Sequence, residues 1–408
     1  MKIGLLAYHA ACNFGAFLQL LSTVEYIKKQ GDEPMVINWV PRDFRRYYEK
    51  HSKKEVLSLY DKLQKEYYPL TKLCETDNEV AKVIEDEKID AVIIGSDAIC
   101  QHHPFRERFS FPTRTIFFIS HPTSDRMYPN CFWGTFNDIL SNPVPVAILS
   151  GSSQDSKYYY IKGRCKQRMK KSILSYKYIS VRDEWTRKMI SYITDKEVIP
   201  SVTPDPVFAL NYNAGHLLPN KHELLEKYKL PNDYLILSFK GEGSVNQEWI
   251  NEFEKKSNKN GYGVVKLPYA DAAAFGDVQY STKDAISPID WYALIKYSKG
   301  YIGNNMHPII SALANDVPFF SFDNYGIAKI AGKQTNGESS KIYHILSMAG
   351  LLDYRIFTRR KNYKMPSAEF VFEKIKNFDV SKIMKFREMY YSEYLNMMKT
   401  IYLAFKKV

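Results

Sequence analysis

The sequence predicts an α/β protein made of two Rossmann-like domains that face each other across a cleft, followed by a helical C-terminal extension. Three observations predict this fold class. Short, nearly all-apolar segments of strand length alternate with segments of helical periodicity. This alternation starts a second time after a proline-flanked segment near the middle of the chain. The length of 408 residues also suits two to three domains.

The first forty residues predict a β-α-β unit. Ile3 to Tyr8 is an apolar strand, and residues 13–15 form a loop. Helical spacing then joins Phe17, Leu20, Leu21, Val24 and Ile27, and Gly31 ends the helix. Parallel strands need such a crossover helix, so the unit opens a doubly wound sheet. Further buried strands are predicted at 35–40, 91–94, 146–149 and 178–181.

The second series begins after residues 203–206, where the prolines suit a hinge between domains. Strands are predicted at 234–239, 263–267, 301–302 and 317–320, and helices at 289–298, 308–315 and from Ser381 onward. The irregular stretch 101–143, rich in Phe, Pro and His, is interpreted as an insertion over the cleft. The predicted domains are therefore 1–205 and 206–340, with 341–408 as the extension.

Composition excludes several classes of protein. Hydrophobic residues make up 45% and charged residues 25%, which is ordinary for a globular chain. No apolar run approaches the roughly 18–20 residues that cross a bilayer. The five cysteines are widely spaced without a CxxC pair, which predicts free thiols, a reducing compartment and no zinc site. His9 interrupts the first apolar run, so Met1–Cys12 is expected to be a strand of a cytoplasmic protein rather than a signal peptide.

The formal charge is +12, and residues 157–188 alone carry +9. Such a block attracts anions, from phosphorylated small molecules to an anionic membrane surface, although a solvated helix face is the commoner explanation. Nucleic acid is an unlikely partner because no helix-turn-helix, RNP or zinc-finger pattern accompanies the charge. The adjacent His102 and His103 cannot share a helix or strand face, and no metal-ligand set stands out.

Five short motifs occur in one order between residues 1 and 325. They are Asn13-Phe14-Gly15 with Leu18-Gln19, Gly95-Ser96-Asp97, Ser180-Val181-Arg182-Asp183, Pro204-Asp205-Pro206, and Asn304-Asn305-Met306-His307 followed by the segment 311–318. Together they resemble the polysaccharide pyruvyl transferase family. The resemblance implies a fold like that of the GT-B glycosyltransferases. It also implies transfer of the enolpyruvyl unit of phosphoenolpyruvate to two hydroxyls of one sugar, giving a pyruvate ketal and free phosphate, with no cofactor.

His307 is the predicted proton-transfer residue, since an imidazole can act as acid and then as base near neutral pH. Its alternative role is to pack a strand-to-helix turn. Arg182, Lys240 and Asn305 are the predicted donor-binding residues, because the carboxylate and phosphate of the donor need cationic or polar partners. For Arg182, an ion pair with Asp183 or Glu184 is an equally good explanation. The glycines beside Lys240 are more typical of a plain turn.

Five further residues are predicted to face the acceptor or the cleft: Asn13, Gly15, Ser96, Asp97 and Ser152. Ligands of open α/β sheets bind at the carboxyl ends of strands, where these residues lie in the predicted fold. Each also has a structural alternative. Gly15 suits a tight turn equally well, and an Asp at the position of Asp97 more often caps a helix.

One departure bears on the donor site. Several members of the family carry Arg before the His-containing dipeptide, where this sequence has Asn305, preceded by Asn304. Lys240 or the 157–188 block could supply the missing cation, the donor could differ, or the protein could have lost activity. Three functions therefore remain open: a pyruvyl transferase acting on a lipid-linked glycan at the inner face of a membrane, a GT-B glycosyltransferase using a nucleotide-sugar, and a non-catalytic anion- or glycan-binding protein.

Overall fold

The computed structural model describes residues 1–110, 118–282, 285–328, 335–359 and 363–406. The chain folds into two compact units. The first contains residues 1–12, 16–206 and 392–408, and the second contains residues 13–15 and 207–391. Each unit is built around one six-stranded sheet.

The first sheet is parallel throughout and has the strand order β2-β1-β3-β4-β5-β6. Its strands are β1 (Lys2–Leu6), β2 (Glu33–Val36), β3 (Ala91–Asp97), β4 (Val146–Gly151), β5 (Tyr178–Val181) and β6 (Ser201–Val202). Strands β3 and β4 are apolar along most of their length because both faces of a parallel sheet are covered by helices. The order reverses direction between β1 and β3, which makes that position a topological switch point.

The second sheet is also parallel and has the Rossmann order β9-β8-β7-β10-β11-β12. Its strands are β7 (Tyr234–Ser238), β8 (Gly263–Lys266), β9 (Tyr280–Ser281), β10 (Gly300–Gly303), β11 (Phe319–Asp323) and β12 (Arg355–Phe357). The switch point of this sheet lies between β7 and β10. Two short antiparallel ribbons lie outside both sheets, Phe109–Ser110 with Phe118–Ile119 and Ile327–Ala328 with Thr335–Asn336.

Helices flank both sheets. In the first part of the chain they are Phe14–Lys29, Arg42–His51, Lys54–Tyr67, Asp77–Asp86, Gly163–Ser175 and Glu184–Ile193. In the second part they are Leu210–Ala214, Lys221–Tyr228, Gln247–Lys259, Pro288–Tyr297, Met306–Ala314, Lys341–Met348, Ala368–Lys376 and Val380–Lys406. Capping residues set several starts. Thr76 and Glu79 form a capping box, and Ser287 caps a helix with Pro288 in its first turn.

The C-terminal region differs from the predicted extension 341–408. Residues 341–391 belong to the second unit, because β12 pairs with β11 and the helix Ala368–Lys376 packs into the second core. Residues 392–408 belong instead to the first unit. The long helix itself is present as expected, but its apolar side chains are only partly buried. Ile383, Phe386 and Tyr390 are buried, whereas Met384, Met389 and Leu395 are exposed.

The stretch 101–143 is irregular, as predicted. Its described part contains short 3₁₀ turns rather than regular helices, and residues 111–117 lie outside the described residues. Cys131, Phe132, Trp133 and Phe136 are buried in the core of the first unit. Residues 131–136 therefore contribute to the core of the first unit, and the insertion over the cleft stays a prediction.

Candidate active site

In the second unit, His307 lies directly against Gly15. His307 is the second residue of the helix Met306–Ala314, which follows β10 at the switch point of the second sheet. A β-carbon built on Gly15 would lie under 3.0 Å from Cε1, Nδ1 and Nε2 of the His307 ring. Gly15 is therefore required for space. The sequence placed it in a loop, but it lies in the first turn of the helix Phe14–Lys29.

The neighbouring residue Phe14 anchors this segment. Its ring stacks on Trp291, with the centroids 4.9 Å apart and the ring planes 29° from parallel. Trp291 is buried in the helix Pro288–Tyr297 of the same unit. Asn13, half-buried, directly precedes Phe14. The order of Asn, aromatic and Gly in this motif thus has a physical reason at two positions, the stacking of Phe14 and the close approach at Gly15.

Asn304 and Asn305 both have structural functions in the loop after β10. Asn304 is buried, and its Oδ1 accepts hydrogen bonds from the Tyr269 hydroxyl and, at 3.3 Å, from the backbone N–H of Lys240. Asn305 is the N-cap of the helix Met306–Ala314, where its Oδ1 accepts from the backbone N–H of Met306 at 2.7 Å. These contacts tie the ends of β7 and β10 together at the switch point.

Lys240 follows β7 and lies on the exposed side of this loop. Its Nζ forms a 2.8 Å ion pair with Oδ2 of Asp271, in which both side chains are about half exposed. The same Nζ lies 5.7 Å from the centroid of the Tyr269 ring. An exposed pair of this kind contributes little to stability, so the ammonium of Lys240 can exchange Asp271 for another anion at low cost.

Two tyrosines that no sequence motif indicated complete the surroundings of the loop. The Tyr325 hydroxyl donates to Oδ1 of Asn305 at 3.4 Å. Burial, with the charges of Asp323 and Asp271, raises the pKa of Tyr325 to about 12, and Arg359 acts in the opposite direction. Burial also raises the pKa of Tyr269 well above its usual range. Both phenols therefore stay protonated near neutral pH and donate hydrogen bonds.

In the first unit, Arg182 is held in a buried ion-pair network. Its Nη1 lies 2.7 Å from Oδ2 of Asp205, and its Nη2 lies 3.3 Å from Oδ1 of Asp97. The side-chain amide of Gln19 donates to the same Asp205 oxygen at 2.6 Å. Burial alone would lower the pKa of Arg182, but the charges of Asp205 and Asp97 reverse this effect and raise it. This geometry favours a structural role, and donor binding by Arg182 stays a prediction.

Ser96, Ser152 and Asp183 lie at the same edge of the first sheet. The Ser96 hydroxyl donates to the carbonyl of Ser150 at 2.8 Å, and the Ser152 hydroxyl donates to Oδ2 of Asp183 at 2.8 Å. Asp183 also caps the helix Glu184–Ile193. The alternative Arg182–Asp183 ion pair that the sequence suggested is thus replaced by pairs with Asp205 and Asp97, since Asp183 is committed to its cap.

The five motifs therefore fall into two groups. Asn13-Phe14-Gly15 and Asn304–His307 meet in the second unit. Gln19, Asp97, Arg182 and Asp205 meet in the first. Tyr269, Tyr325 and Asp271 lack any motif, because their contacts join segments far apart in the sequence. No group of three or more metal-ligating side chains occurs within the described residues, and no helix there has the length and apolar character to cross a membrane.

The fold defines the chain as a GT-B-like protein with two Rossmann-like units, which confirms the predicted class. The spinosyn forosaminyltransferase SpnP matches it with a TM-score of 0.53 and 8% identity, over 98% of this chain and 99% of that one. UDP-GlcNAc 2-epimerase from Methanocaldococcus jannaschii matches with a TM-score of 0.48 and 10% identity, over 92% of each chain. No curated protein matches the sequence.

The amino-acid sequence shows to which family the chain belongs. The model of the polysaccharide pyruvyl transferase family matches residues 13–325, most of the chain. The protein belongs to that family, which confirms the resemblance carried by the five motifs and supports a transferase that acts on a polysaccharide. The matched region begins at Asn13 and ends at Tyr325, so it contains both groups of motif residues.

Proposed function

We propose that the protein transfers the enolpyruvyl unit of phosphoenolpyruvate to two hydroxyls of one sugar in a surface-polysaccharide precursor. The observation that carries this proposal is the position of His307. Its imidazole lies at the switch point of the second sheet, where ligands of such sheets bind, within the region that matches the family. No cofactor is needed, because phosphoenolpyruvate brings both the carbon unit and its leaving group.

The reaction balances without an oxidant or a water molecule. A proton adds to the methylene carbon of phosphoenolpyruvate, and C2 becomes electrophilic. One sugar hydroxyl then bonds to C2 and loses its proton. The second hydroxyl then bonds to C2 as the C–O bond to phosphate breaks, and its proton leaves with the phosphate. His307 can deliver the first proton and accept one from a hydroxyl, since a single imidazole alternates between acid and base.

Lys240 is the proposed partner of the donor's phosphate. The backbone N–H of Lys240 donates to Asn304, and Asn304 lies two residues before the helix that carries His307. The ion pair of Lys240 with Asp271 is exposed. The first-turn N–H groups of the helix Met306–Ala314 add positive potential at the same end. Asn305 supports this end as its N-cap. These groups offer a replacement for the Arg that several family members carry at the position of Asn305.

The other two functions gain no support from these observations. Likeness to a glycosyltransferase structure at 8% identity shows the fold alone. Loss of activity was suggested by the two asparagines, but both have defined structural functions in the loop that positions His307. A pyruvyl transferase therefore remains the best explanation of the site.

We expect the glycan acceptor to be lipid-linked and the enzyme to work at the cytoplasmic face of a membrane. The helix Gly163–Ser175 is strongly basic, and Tyr159 and Tyr160 are exposed just before it. Its charge is weaker than the sequence suggests, because Lys166 and Lys170 pair with acids at 195 and 197. Flotation with anionic but not neutral liposomes supports docking, and binding to neither contradicts it.

The function is tested with phosphoenolpyruvate labelled with ¹³C at C2 and a panel of methyl glycosides and lipid-linked glycan extracts. Conversion of the labelled sp² carbon into an sp³ ketal carbon, with release of one phosphate per ketal, is the expected result. The His307→Ala variant should lose both signals while keeping the wild-type circular dichroism spectrum. Ketal formation at the wild-type rate in that variant would exclude His307 as the proton-transfer residue.

A further inference from the structure

Tyr269 contacts two different parts of the candidate site in the second unit. It lies shortly after β8, belongs to none of the five motifs and is 7% exposed. Its hydroxyl donates a hydrogen bond to Oδ1 of Asn304. Its ring lies beneath the ammonium of Lys240, with Nζ 5.7 Å from the ring centroid. One side chain therefore contacts both the loop that carries His307 and the lysine assigned to the donor's phosphate.

The hydroxyl of Tyr269 bridges the ends of two neighbouring strands. It lies 3.2 Å from the carbonyl oxygen of Ser238, the last residue of β7. Its other partner, Asn304, is buried and directly follows β10. Strands β7 and β10 pair with each other at the switch point of the second sheet. The phenol therefore sets the position of Asn304 relative to the end of β7.

The position of Asn304 determines that of His307 through a short segment. Asn305 caps the helix Met306–Ala314, in which His307 is the second residue. On its other side, the His307 ring lies against Gly15, where a β-carbon would come within 3.0 Å of it. The imidazole is thus held between a fixed loop and a close backbone contact. A small displacement of the loop would move the ring, and an error of about 1 Å in a reacting group can lower a rate by about a hundredfold.

The ring of Tyr269 acts on Lys240 independently of the hydroxyl. An aromatic face attracts an ammonium electrostatically but does not neutralise its charge. The ion pair of Lys240 with Asp271 is about half exposed, so a phosphate can replace the carboxylate. The contact with the ring does not involve Asp271, and it can hold Nζ in place during this exchange.

We propose that Tyr269 is a positioning residue with two separable functions. Its hydroxyl positions the loop that carries His307, and its ring positions the Lys240 ammonium for the donor's phosphate. The inference rests on the proposed function for the roles of His307 and Lys240. It adds to the site a residue that links donor binding to proton transfer.

Two substitutions separate these functions. Tyr269→Phe keeps the ring and removes the hydroxyl, so kcat should fall about tenfold while the KM for phosphoenolpyruvate stays unchanged. Tyr269→Leu removes both groups, so the KM should also rise, by about three- to fivefold. A purely structural Tyr269 would change the unfolding temperature without this division between kcat and KM.

Tyr234→Phe is the matched control for the lost hydroxyl. Tyr234 is the first residue of β7, at the opposite end of the strand from Ser238. Its buried hydroxyl donates to the carbonyl of Leu294 at 2.7 Å. The control therefore loses a buried hydrogen bond in the same strand, and both kinetic constants should keep their wild-type values.

Two further measurements need no turnover. The ring ¹³C–¹H resonance of His307, assigned by its loss in His307→Ala, should shift in Tyr269→Phe and not in Tyr234→Phe. Inorganic phosphate should raise the unfolding temperature less in Tyr269→Leu than in Tyr269→Phe, because only the latter keeps the ring beneath Lys240.

The inference is wrong if Tyr269→Phe has the wild-type His307 resonance and kcat. It is also wrong if phosphate stabilises the two Tyr269 variants equally. Absence of ketal formation by the wild-type protein would instead contradict the transfer reaction. The resonance and the phosphate response still test Tyr269 in that case, so the two failures are distinguishable.

Discussion

The imidazole ring of His307 fills the space that a β-carbon on residue 15 would occupy, so only glycine fits at Gly15. The two residues are nearly three hundred positions apart in the sequence and lie in the same unit. Gly15 has helical backbone, in which alanine is intrinsically favoured over glycine by about 1 kcal/mol. Glycine is therefore found here in spite of its low helix propensity, because any larger residue would collide with the ring.

Gly15→Ala should displace the His307 ring and reduce turnover by at least tenfold, while the protein still folds. The free energy of unfolding should fall, because the overlap must be relieved by moving the ring. In the His307→Ala background the same change should have no cost, or stabilise the helix slightly. A double-mutant cycle on thermal unfolding measures this coupling. Equal effects of Gly15→Ala in both backgrounds would show that the contact is unimportant.

Arg182→Met should be strongly destabilising. It leaves Asp205 buried without its ion-pair partner, and loss of one member of a buried pair costs about 3–5 kcal/mol. Urea unfolding measures the change. The matched control is Arg187→Met, which removes an exposed pair with Glu184 and should cost under about 1 kcal/mol. A stable Arg182→Met variant that no longer binds phosphoenolpyruvate would instead establish the donor role predicted from the sequence.

Lys240→Met should raise the KM for phosphoenolpyruvate about tenfold or more, with little change in stability. The reason is that its present partner, Asp271, forms only an exposed pair, whereas a bound phosphate would form a charge-assisted hydrogen bond. Steady-state kinetics and thermal unfolding measure the two effects. Lys299→Met is the control, since Lys299 is a similarly exposed lysine whose partner in the same unit, Asp233, is also about half exposed. Equal KM values in the two variants would remove Lys240 from the donor site.

His102 should make the protein less stable in mild acid. Burial lowers the pKa of His102 to about 4, from 6.5 for an exposed histidine. Between those values the unfolded chain binds a proton that the folded protein does not, so stability falls as the pH falls from about 6.5 to 4. His9 acts in the same direction, because burial lowers its pKa too.

The contribution of His102 is isolated with His102→Gln, which should flatten the pH dependence of unfolding by about 1–3 kcal/mol over that range. The backbone N–H of Tyr128 donates to Nδ1 of His102 at 3.1 Å, and the Gln side-chain oxygen can accept that hydrogen bond. An unchanged pH dependence in this variant would show that His102 has the same pKa in the folded protein as in the unfolded chain.

The long buried strands were predictable, because each is a nearly continuous apolar run. Strand β5 has the predicted bounds, and β3 and β4 begin at the predicted residues. Strands β6, β9 and β12 have two or three residues, too few to show any periodicity. For the same reason the sequence did not predict that residues 341–391 belong to the second unit. Strand β12, which pairs this segment with the second sheet, has only three residues, so no pattern in the sequence joins the two.

The sequence predicted some residues of the candidate site but not their contacts with distant segments. The sequence motifs identified the residues of the 304–307 loop, and the structure places Asn13 to Gly15 beside it. The sequence did not indicate that Arg182 would pair with Asp205, because ion pairs between distant segments depend on the fold. No sequence pattern pointed to Tyr269, Tyr325 or Asp271. Each of these residues contacts a segment that is distant in the sequence, and such contacts depend on the fold.

The most direct test of the proposed transfer reaction is a thermal unfolding series of the wild-type protein with phosphoenolpyruvate, inorganic phosphate, UDP, GDP and CMP. A ligand present at about 100 times its Kd stabilises the folded state by about 2.7 kcal/mol, which raises the unfolding temperature by a few degrees. A pyruvyl transferase should respond to phosphoenolpyruvate and not to the nucleotides. A rise with a nucleotide alone would contradict pyruvyl transfer and assign the fold to glycosyl transfer.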